Sequence, residues 1–337
     1  MINFALFGAG RIGSIHANNV ARHAQARMVA LHDPFQANAD RLAAELGCGQ
    51  MNPQAIFASD DIDAVLICSA TDTHADLIEA AVAAGKHVFC EKPIDLSLQR
   101  VRQCLGKVSQ SKCETMVAFN RRFDPNFQFL QQQIEAGDIG TVELVSIISK
   151  DPAPPPIEYI KVSGGLFRDM TIHDFDMARF LLGEEIISVN AQASCQVDAA
   201  IGETGDVDTA VITMTSVSGK LAQISNSRRA SFGYDQRIEV HGSEGMLVAN
   251  NVNENTVVAY NQSGVCSAKP LYFFLERYAE AYRAELDNFV RSLMGESVKL
   301  PSMDDGLQAL MLAEAALMSL QQGRNVSLSE LGLGISN

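Results

Sequence analysis

Short apolar runs alternate with helix-length stretches through the first 120 residues. The runs are NFALFG (3–8), RMVALHD (27–33), AVLICSA (64–70), HVFCEKP (87–93) and TMVAFN (115–120), with segments such as HADLIEAAVAAGK (74–86) between them. Continuous rather than alternating apolar runs are expected of strands covered by helices on both faces, so the pattern predicts a doubly wound parallel sheet. Around Phe123-Asp124-Pro125 the order changes: a helix is expected to start near Pro125, followed by a long strand, TVELVSIISK (141–150), and a proline-rich loop (151–156). A helix is predicted over 164–183, and strand-like segments follow from about 185 to 260. In RIEVHGSEG (237–245), Ile238 and Val240 face one way while Arg237, Glu239 and His241 face the other, as in a sheet with one buried side. Helical patterns return at 276–294 and 303–325; the pattern leaves open which domain the helix at 303–322 packs on. The expected fold is therefore α/β: a Rossmann-like N-terminal domain (1–122), then an α+β domain (123–337) with a mostly antiparallel sheet.

Composition narrows the function. With 337 residues, 47% of them hydrophobic and 20% charged, the chain can bury two sizeable cores. A net charge of -14 without clustered Lys or Arg argues against a nucleic-acid partner and against an anionic membrane surface. No apolar run approaches the roughly 18 residues of a membrane span. MINFALFGAGRIG reads as a first strand entering a glycine loop rather than as a signal peptide. Seven cysteines, at 48, 68, 90, 104, 113, 195 and 266, show no C-x-x-C spacing and fit reduced thiols in a cytoplasm.

The glycine loop carries the first candidate site. Gly8, Gly10 and Gly13 stand in G-x-G-x-x-G spacing, with Arg11 and Ile12 inside the motif, after a predicted strand and at the start of a predicted helix. Such a loop lets a pyrophosphate approach the backbone at a helix N-terminus with unpaired N–H donors. Asp33 follows at about the distance expected of the acid that binds the adenosine ribose; the competing reading is a turn residue ahead of Pro34. With Pro34 and Phe35 rather than an arginine beside that carboxylate, NAD is favoured over NADP.

Two further constellations stand out. HVFCEKP places Glu91 and Lys92 at the carboxyl end of a parallel strand, the edge where open α/β sheets bind ligands, and Pro93 admits a cis bond. A solvated surface pair is the alternative. In GGLFRDMTIHDFDMARFLLG (164–183), Asp169, His173 and Asp176 fall at i, i+4 and i+7 on one helix face. A surface ion pair, or Asp169 capping a helix that begins near Met170, would account for the same residues without chemistry. A metal at the three is allowed by ligand type, but no histidine or cysteine at supporting spacing backs it, so none is expected.

Taken together, the GAGRIG loop, the EKP motif, AFNRRFDPNF (118–127) and the D-x-x-x-H helix resemble the glucose-fructose oxidoreductase / inositol dehydrogenase (Gfo/Idh/MocA) family over nearly the whole chain. The 164–183 stretch is similar to its inositol 2-dehydrogenase branch. The resemblance implies a two-domain enzyme, a homotetramer assembled through the second-domain sheets, and Lys92, Asp169 and His173 as catalytic trio. It implies NAD-dependent oxidation of a cyclic polyol, with myo-inositol to 2-keto-myo-inositol (scyllo-inosose) as the leading reading. His173 is the candidate base, since an ordinary imidazole is largely neutral near physiological pH. Asp169 would fix its tautomer, and Lys92 would donate to the substrate oxygen. Asp176 is expected to accept bonds from substrate hydroxyls. Tyr234 either reaches the substrate from a sheet end or is simply packed. His74 reads as a cap, a solvated residue or a ligand contact, and Arg121 and Arg122 as ion-pairing groups between domains. The competing functions are a dehydrogenase for another inositol isomer or sugar, NAD-dependent glycoside hydrolysis, and a non-catalytic NAD-binding regulator.

Overall fold

The structure is a computed structural model and describes residues 1–332. The described chain divides into two compact units, one of residues 1–123 and 281–310, the other of 124–280 and 311–332. This differs from the contiguous second domain expected from 123 onward. Phe123 stays with the first unit, and a later segment returns to it.

In the first unit six parallel strands, β1 (Ile2–Phe7), β2 (Ala26–His32), β3 (Gly49–Gln50), β4 (Ala64–Ile67), β5 (His87–Glu91) and β6 (Thr115–Ala118), lie in the order β3-β2-β1-β4-β5-β6. That is the order of a dinucleotide-binding sheet, with its switch point between β1 and β4. The crossovers carry α1 (Arg11–Arg22), α2 (Gln36–Leu46), α3 (Pro53–Ala58), α4 (His74–Ala83) and α5 (Leu98–Val108). Ala64 to Ile67 are all fully buried, as a central strand flanked by helices requires.

The returning segment explains the division. It contains most of α11 (Ala279–Leu293), whose Leu286, Phe289 and Val290 are buried in one cluster with Phe4, Leu6 and Phe89. The Phe289 ring sits 6.3 Å from that of Phe4 and 5.7 Å from that of Phe89. Removing a fully buried ring of this kind costs about 3–5 kcal/mol.

The second unit begins with α6 (Pro125–Ala136), where the expected start at Pro125 has its cause in Asp124: the carboxylate accepts from the amides of Asn126 and Phe127. Its seven-stranded sheet has the order β12-β11-β7-β10-β9-β8-β15, from β7 (Val142–Lys150), β8 (Ile186–Ser194), β9 (Thr209–Ser216), β10 (Leu221–Ser227), β11 (Asp235–Gly242), β12 (Gly245–Ala249) and β15 (Val326–Ser327). Every pairing is antiparallel except β10 with β7. Val145, Ile147, Ile212, Met214, Ile224, Ile238 and Val240 point into the core. A separate hairpin joins β13 (Val258–Asn261) to β14 (Gly264–Ser267).

The stretch expected as one helix is helical from 166 to 182 but widens into a π-helical turn near its start, and a short helix precedes it. α7 (Ile157–Ser163) ends at left-handed Gly164, a π-helical turn covers Phe167–Thr171, and α8 (Ile172–Leu182) continues to left-handed Gly183. α9 (Ala199–Glu203) and α10 (Phe274–Arg277) are short. The helix at 303–322, α12 (Met303–Gln322), serves both units, the first through Leu310 and the second from Met311. No helix among the described residues is long and apolar enough to cross a membrane.

Candidate active site

At the carboxyl end of β1 the backbone turns at Gly8, which has φ +93. A Cβ there would lie 2.5 Å from the Cys68 carbonyl oxygen, and one on Gly13 would lie 1.8 Å from the Gly8 carbonyl oxygen. Both positions therefore demand glycine for the loop to close on β4 and on itself. Gly10 is different: nothing lies within 4 Å of its would-be Cβ. It is the N-cap of α1, no side chain caps that terminus, and no acid sits in the first turn. Open space at a helix N-terminus is what a pyrophosphate needs, so the loop fits a dinucleotide.

Asp33 is built into the same loop. Its Oδ2 accepts from the Ala9 amide at 2.6 Å and its Oδ1 from the Phe35 amide at 2.8 Å. Arg41, which the sequence reading passed over, donates to the Ala9 carbonyl at 3.2 Å and to Ser14 Oγ at 2.9 Å.

Lys92 and Glu91 stand at the carboxyl end of β5, partly exposed, and the Lys92-Pro93 bond is cis. His74 is not a solvated residue. It is 2% exposed, and its ring bridges the loops after β4 and β5, Nδ1 to the Pro93 carbonyl at 2.8 Å and Nε2 to the Ser69 carbonyl at 3.0 Å. Burial pushes its pKa down, against the pull of the two carbonyls and of Glu91 and Asp72. Arg122 pairs at 2.9 Å with Asp305, a residue of the returning segment in the first unit.

Behind β5 lies a cluster that sequence reasoning missed. His16 on α1, Glu91 on β5 and Glu285 on α11 bring their ligating atoms within 4.8 Å of one another. His16 Nε2 is 2.9 Å from Glu91 Oε1 and 3.8 Å from Glu285 Oε1. Two ionised carboxylates at such a spacing repel by about 3 kcal/mol even at an effective dielectric of ~20. Burial first, and the Glu91 charge second, hold the Glu285 carboxyl well above the usual range. The signal was available in the sequence: Glu285 falls among Ala281, Tyr282, Leu286 and Phe289 on the apolar face of a helix.

In the second unit the π-helical turn presents Asp169, a distortion common at functional sites. Tyr159 donates its hydroxyl to Asp169 Oδ1 at 2.8 Å, and Arg228 lies against Oδ2. His173, in the first turn of α8, is partly exposed, whereas Asp176 is only 1% exposed. A buried polar chain ties this helix to the sheet. Thr171 Oγ1 donates to Asn226 Oδ1 at 2.6 Å, and Asn226 Nδ2 donates to Asp174 Oδ2 at 2.9 Å and to the Ser149 carbonyl at 3.3 Å. Asn226 continues the inward positions of Ala222 and Ile224 along β10, and Arg228, one residue past its end, is buried in the same alternation, so the pattern marks both as polar groups on a buried face. Tyr234 is 5% exposed and packs edge-on against Tyr278 at 5.9 Å.

Comparison with known proteins gives this geometry a context. The family of NAD-binding Rossmann-fold oxidoreductases matches residues 2–119, and the GFO/IDH/MocA C-terminal domain matches residues 127–248. The chain is 52% identical to the inositol 2-dehydrogenase of Rhizobium meliloti (strain 1021), over 97% of this chain and 99% of that one. A myo-inositol dehydrogenase crystal structure from Corynebacterium glutamicum superposes with a TM-score of 0.93 at 45% identity, covering 97% of this chain and 99% of that one. The scyllo-inositol dehydrogenase of Lactobacillus casei, solved with NAD(H) and scyllo-inositol, superposes with a TM-score of 0.90 at 31% identity, covering 98% and 99%.

Proposed function

Because the chain belongs to the Gfo/Idh/MocA family of NAD-binding oxidoreductases, we infer that it is an NAD-dependent dehydrogenase that oxidises a secondary alcohol of a cyclic polyol. The substrate we assign is myo-inositol, oxidised at carbon 2 to scyllo-inosose. The near-full-length likeness to the Rhizobium meliloti inositol 2-dehydrogenase carries this reading.

Gly10, Arg11, Ile12 and Gly13 would hold the pyrophosphate at the start of α1, Gly8, whose amide bonds the His32 carbonyl, would shape the turn that admits it, and Asp33 would take the adenosine ribose, with Glu91 and Lys92 toward the nicotinamide end. Accepting a hydride is the chemistry NAD supplies when bound. The residues of the chain must then remove the hydroxyl proton and stabilise charge on its oxygen. In our reading an imidazole nitrogen of His173 takes that proton, and the Lys92 ammonium donates to the oxygen as it gains alkoxide character. Asp169 orients the imidazole and stabilises its protonated form. Its bonds to Tyr159 and Arg228 support that role, because they hold the carboxylate while leaving acceptor capacity on both oxygens. Asp176 and Tyr234 are assigned to substrate hydroxyls, and their burial makes them candidates for the floor of the site.

A homotetramer in the cytoplasm completes the reading. The outer face of the seven-stranded sheet leaves Val211, Leu221, Met246 and Val248 exposed, apolar positions that a second copy would cover. All seven cysteines are free, as in a reducing compartment.

The test is the appearance of reduced nicotinamide when NAD is mixed with the enzyme and myo-, scyllo- or chiro-inositol or glucose in parallel. Fastest turnover on myo-inositol is expected; no reduction with any polyol would overturn the assignment. The likeness to the scyllo-inositol enzyme makes that isomer the second reading. Light scattering at working concentration should give four times the 36.4 kDa chain mass.

A further inference from the structure

We propose that Glu285 is a positioning residue that acts through His16 on Glu91 and so fixes the end of β5 from which Lys92 leaves the sheet. The proposal rests on the assignment of Lys92 as donor to the substrate oxygen.

Three elements distant in sequence, α1, β5 and α11, each contribute one group to this cluster. His16 and Glu285 are fully buried, and the Glu91 side chain is 14% exposed. The imidazole is walled edge-on by Phe89 at 4.8 Å and Tyr282 at 5.7 Å, which fixes the direction of Nε2 between the two carboxyl groups. At 2.9 Å that nitrogen is committed to Glu91, so its N–H donates there. Glu285 stands behind the same nitrogen at 3.8 Å, on a helix face otherwise made of Ala281, Tyr282, Leu286, Phe289 and Val290.

An ionised carboxylate in such surroundings would be strongly disfavoured. The groups that face Glu285 sharpen this. Glu91 across the imidazole raises its pKa, and the Cys68 thiol, beyond the end of β4, is itself pushed well up by burial and by Glu91, Cys90 and Glu285. Burial and the neighbouring Glu91 thus favour the neutral form of Glu285, and Glu91 is the carboxyl group bonded to His16. Fixing Glu91 fixes the residue immediately before Lys92.

Glu285→Gln, Glu285→Leu, Lys92→Met and the Glu285→Leu/Lys92→Met double variant of the full-length enzyme test this. Each is assayed for kcat and KM with myo-inositol, for NAD affinity and for thermal midpoint. Glu285→Gln keeps the shape of the neutral acid and should hold kcat within roughly threefold. Glu285→Leu should fold yet lose kcat by roughly tenfold or more, with NAD affinity little changed, and should add nothing to the loss of Lys92→Met. If Glu285→Leu does not fold, Glu285→Met, unbranched and similar in length, takes its place. Equal losses in Glu285→Gln and Glu285→Leu, or losses that multiply in the double variant, would overturn the proposal. So would stoichiometric divalent metal in enzyme purified without chelator, because Glu285 would then be a ligand rather than an acid. Full turnover in Lys92→Met would instead remove the underlying assignment of Lys92, an outcome distinct from these.

Discussion

Arg228 sets both terminal nitrogens against one oxygen of Asp169, Nη2 at 3.3 Å and Nη1 at 3.4 Å, from a side chain only 1% exposed. The same guanidinium reaches Asp206 at 4.0 Å, so one buried cation serves two carboxylates. Removing it takes the cation from both acids, which keep the Tyr159 hydroxyl and the Leu166 amide as neutral donors, and breaking a buried pair typically costs about 3–5 kcal/mol. Arg228→Leu should lower the urea midpoint and depress turnover by at least roughly tenfold, whereas Arg228→Lys, which keeps the charge but not the fork, should recover stability better than turnover. Parallel unfolding curves and kcat values for the two variants decide it; equal turnover in Arg228→Lys and wild type would mean that only the charge matters.

Loss of the base or of the oxyanion donor should appear in turnover rather than in cofactor binding. His173→Ala and Lys92→Met are each expected to lower kcat by about a hundredfold or more, with NAD affinity changed by less than about threefold. Steady-state kinetics with myo-inositol, alongside NAD titration by fluorescence, separates the two quantities. A folded His173→Ala enzyme with near-normal kcat would assign the base elsewhere.

The glycine loop offers two alanine substitutions with opposite signatures. Gly13→Ala puts a methyl 1.8 Å from the Gly8 carbonyl oxygen, so the loop must move and the free protein should lose several degrees of thermal stability. Gly10→Ala meets nothing within 4 Å, at φ -71, and should leave the free protein's midpoint unchanged. Its NAD affinity should nevertheless fall, because the methyl occupies the space proposed for the pyrophosphate. Thermal shifts with and without NAD check both; unimpaired NAD binding by Gly10→Ala would place the pyrophosphate elsewhere.

Asp33 braces the loop through the Ala9 and Phe35 amides, so Asp33→Ala should raise the KM for NAD by about tenfold or more. If its carboxylate also takes the ribose, the preference for NAD over NADP should shrink. An unchanged preference would leave it as a loop brace alone.

Asp208 controls a pH-dependent part of the second unit. Burial would raise its carboxyl, but amides of Gln196, Asp198 and Val197 and the Cys195 thiol donate to it and hold the pKa at about 2. A carboxyl depressed in the folded state stabilises fully above its unfolded pKa, near 3.9, and loses that contribution as pH falls through about 2. Asp208→Asn should therefore cost about 2 kcal/mol at pH 7 and less at pH 3. Urea midpoints at the two pH values measure it; a constant gap would refute the charge argument.

How far the sequence spoke depended on how local each feature is. The parallel sheet was legible because β1, β2, β4, β5 and β6 are continuous apolar runs, and the glycine loop because its three glycines, with the close approach of Gly13 to Gly8, lie within a few residues of chain. The two-residue strands β3 and β15 were not, since two residues carry no periodicity. The π-helical turn at 167–171 leaves no mark either, because a single widened turn is a change of hydrogen-bond register rather than of composition. Arg228 and Glu285 were overlooked for a different reason. Each is a charged residue on a buried face, a violation of pattern that becomes informative only once its partners, Asp169 and His16, are known to be near.

The return of residues 281–310 to the first unit bears on how the chain comes off the ribosome. Phe289 and Leu286 close a core whose other members, Phe4 and Phe89, emerge far earlier. A nascent chain halted at Phe123 would display that half-made core to solvent, inviting aggregation or a chaperone. The first 123 residues thus wait, incomplete, until residues 281–310 have been synthesised.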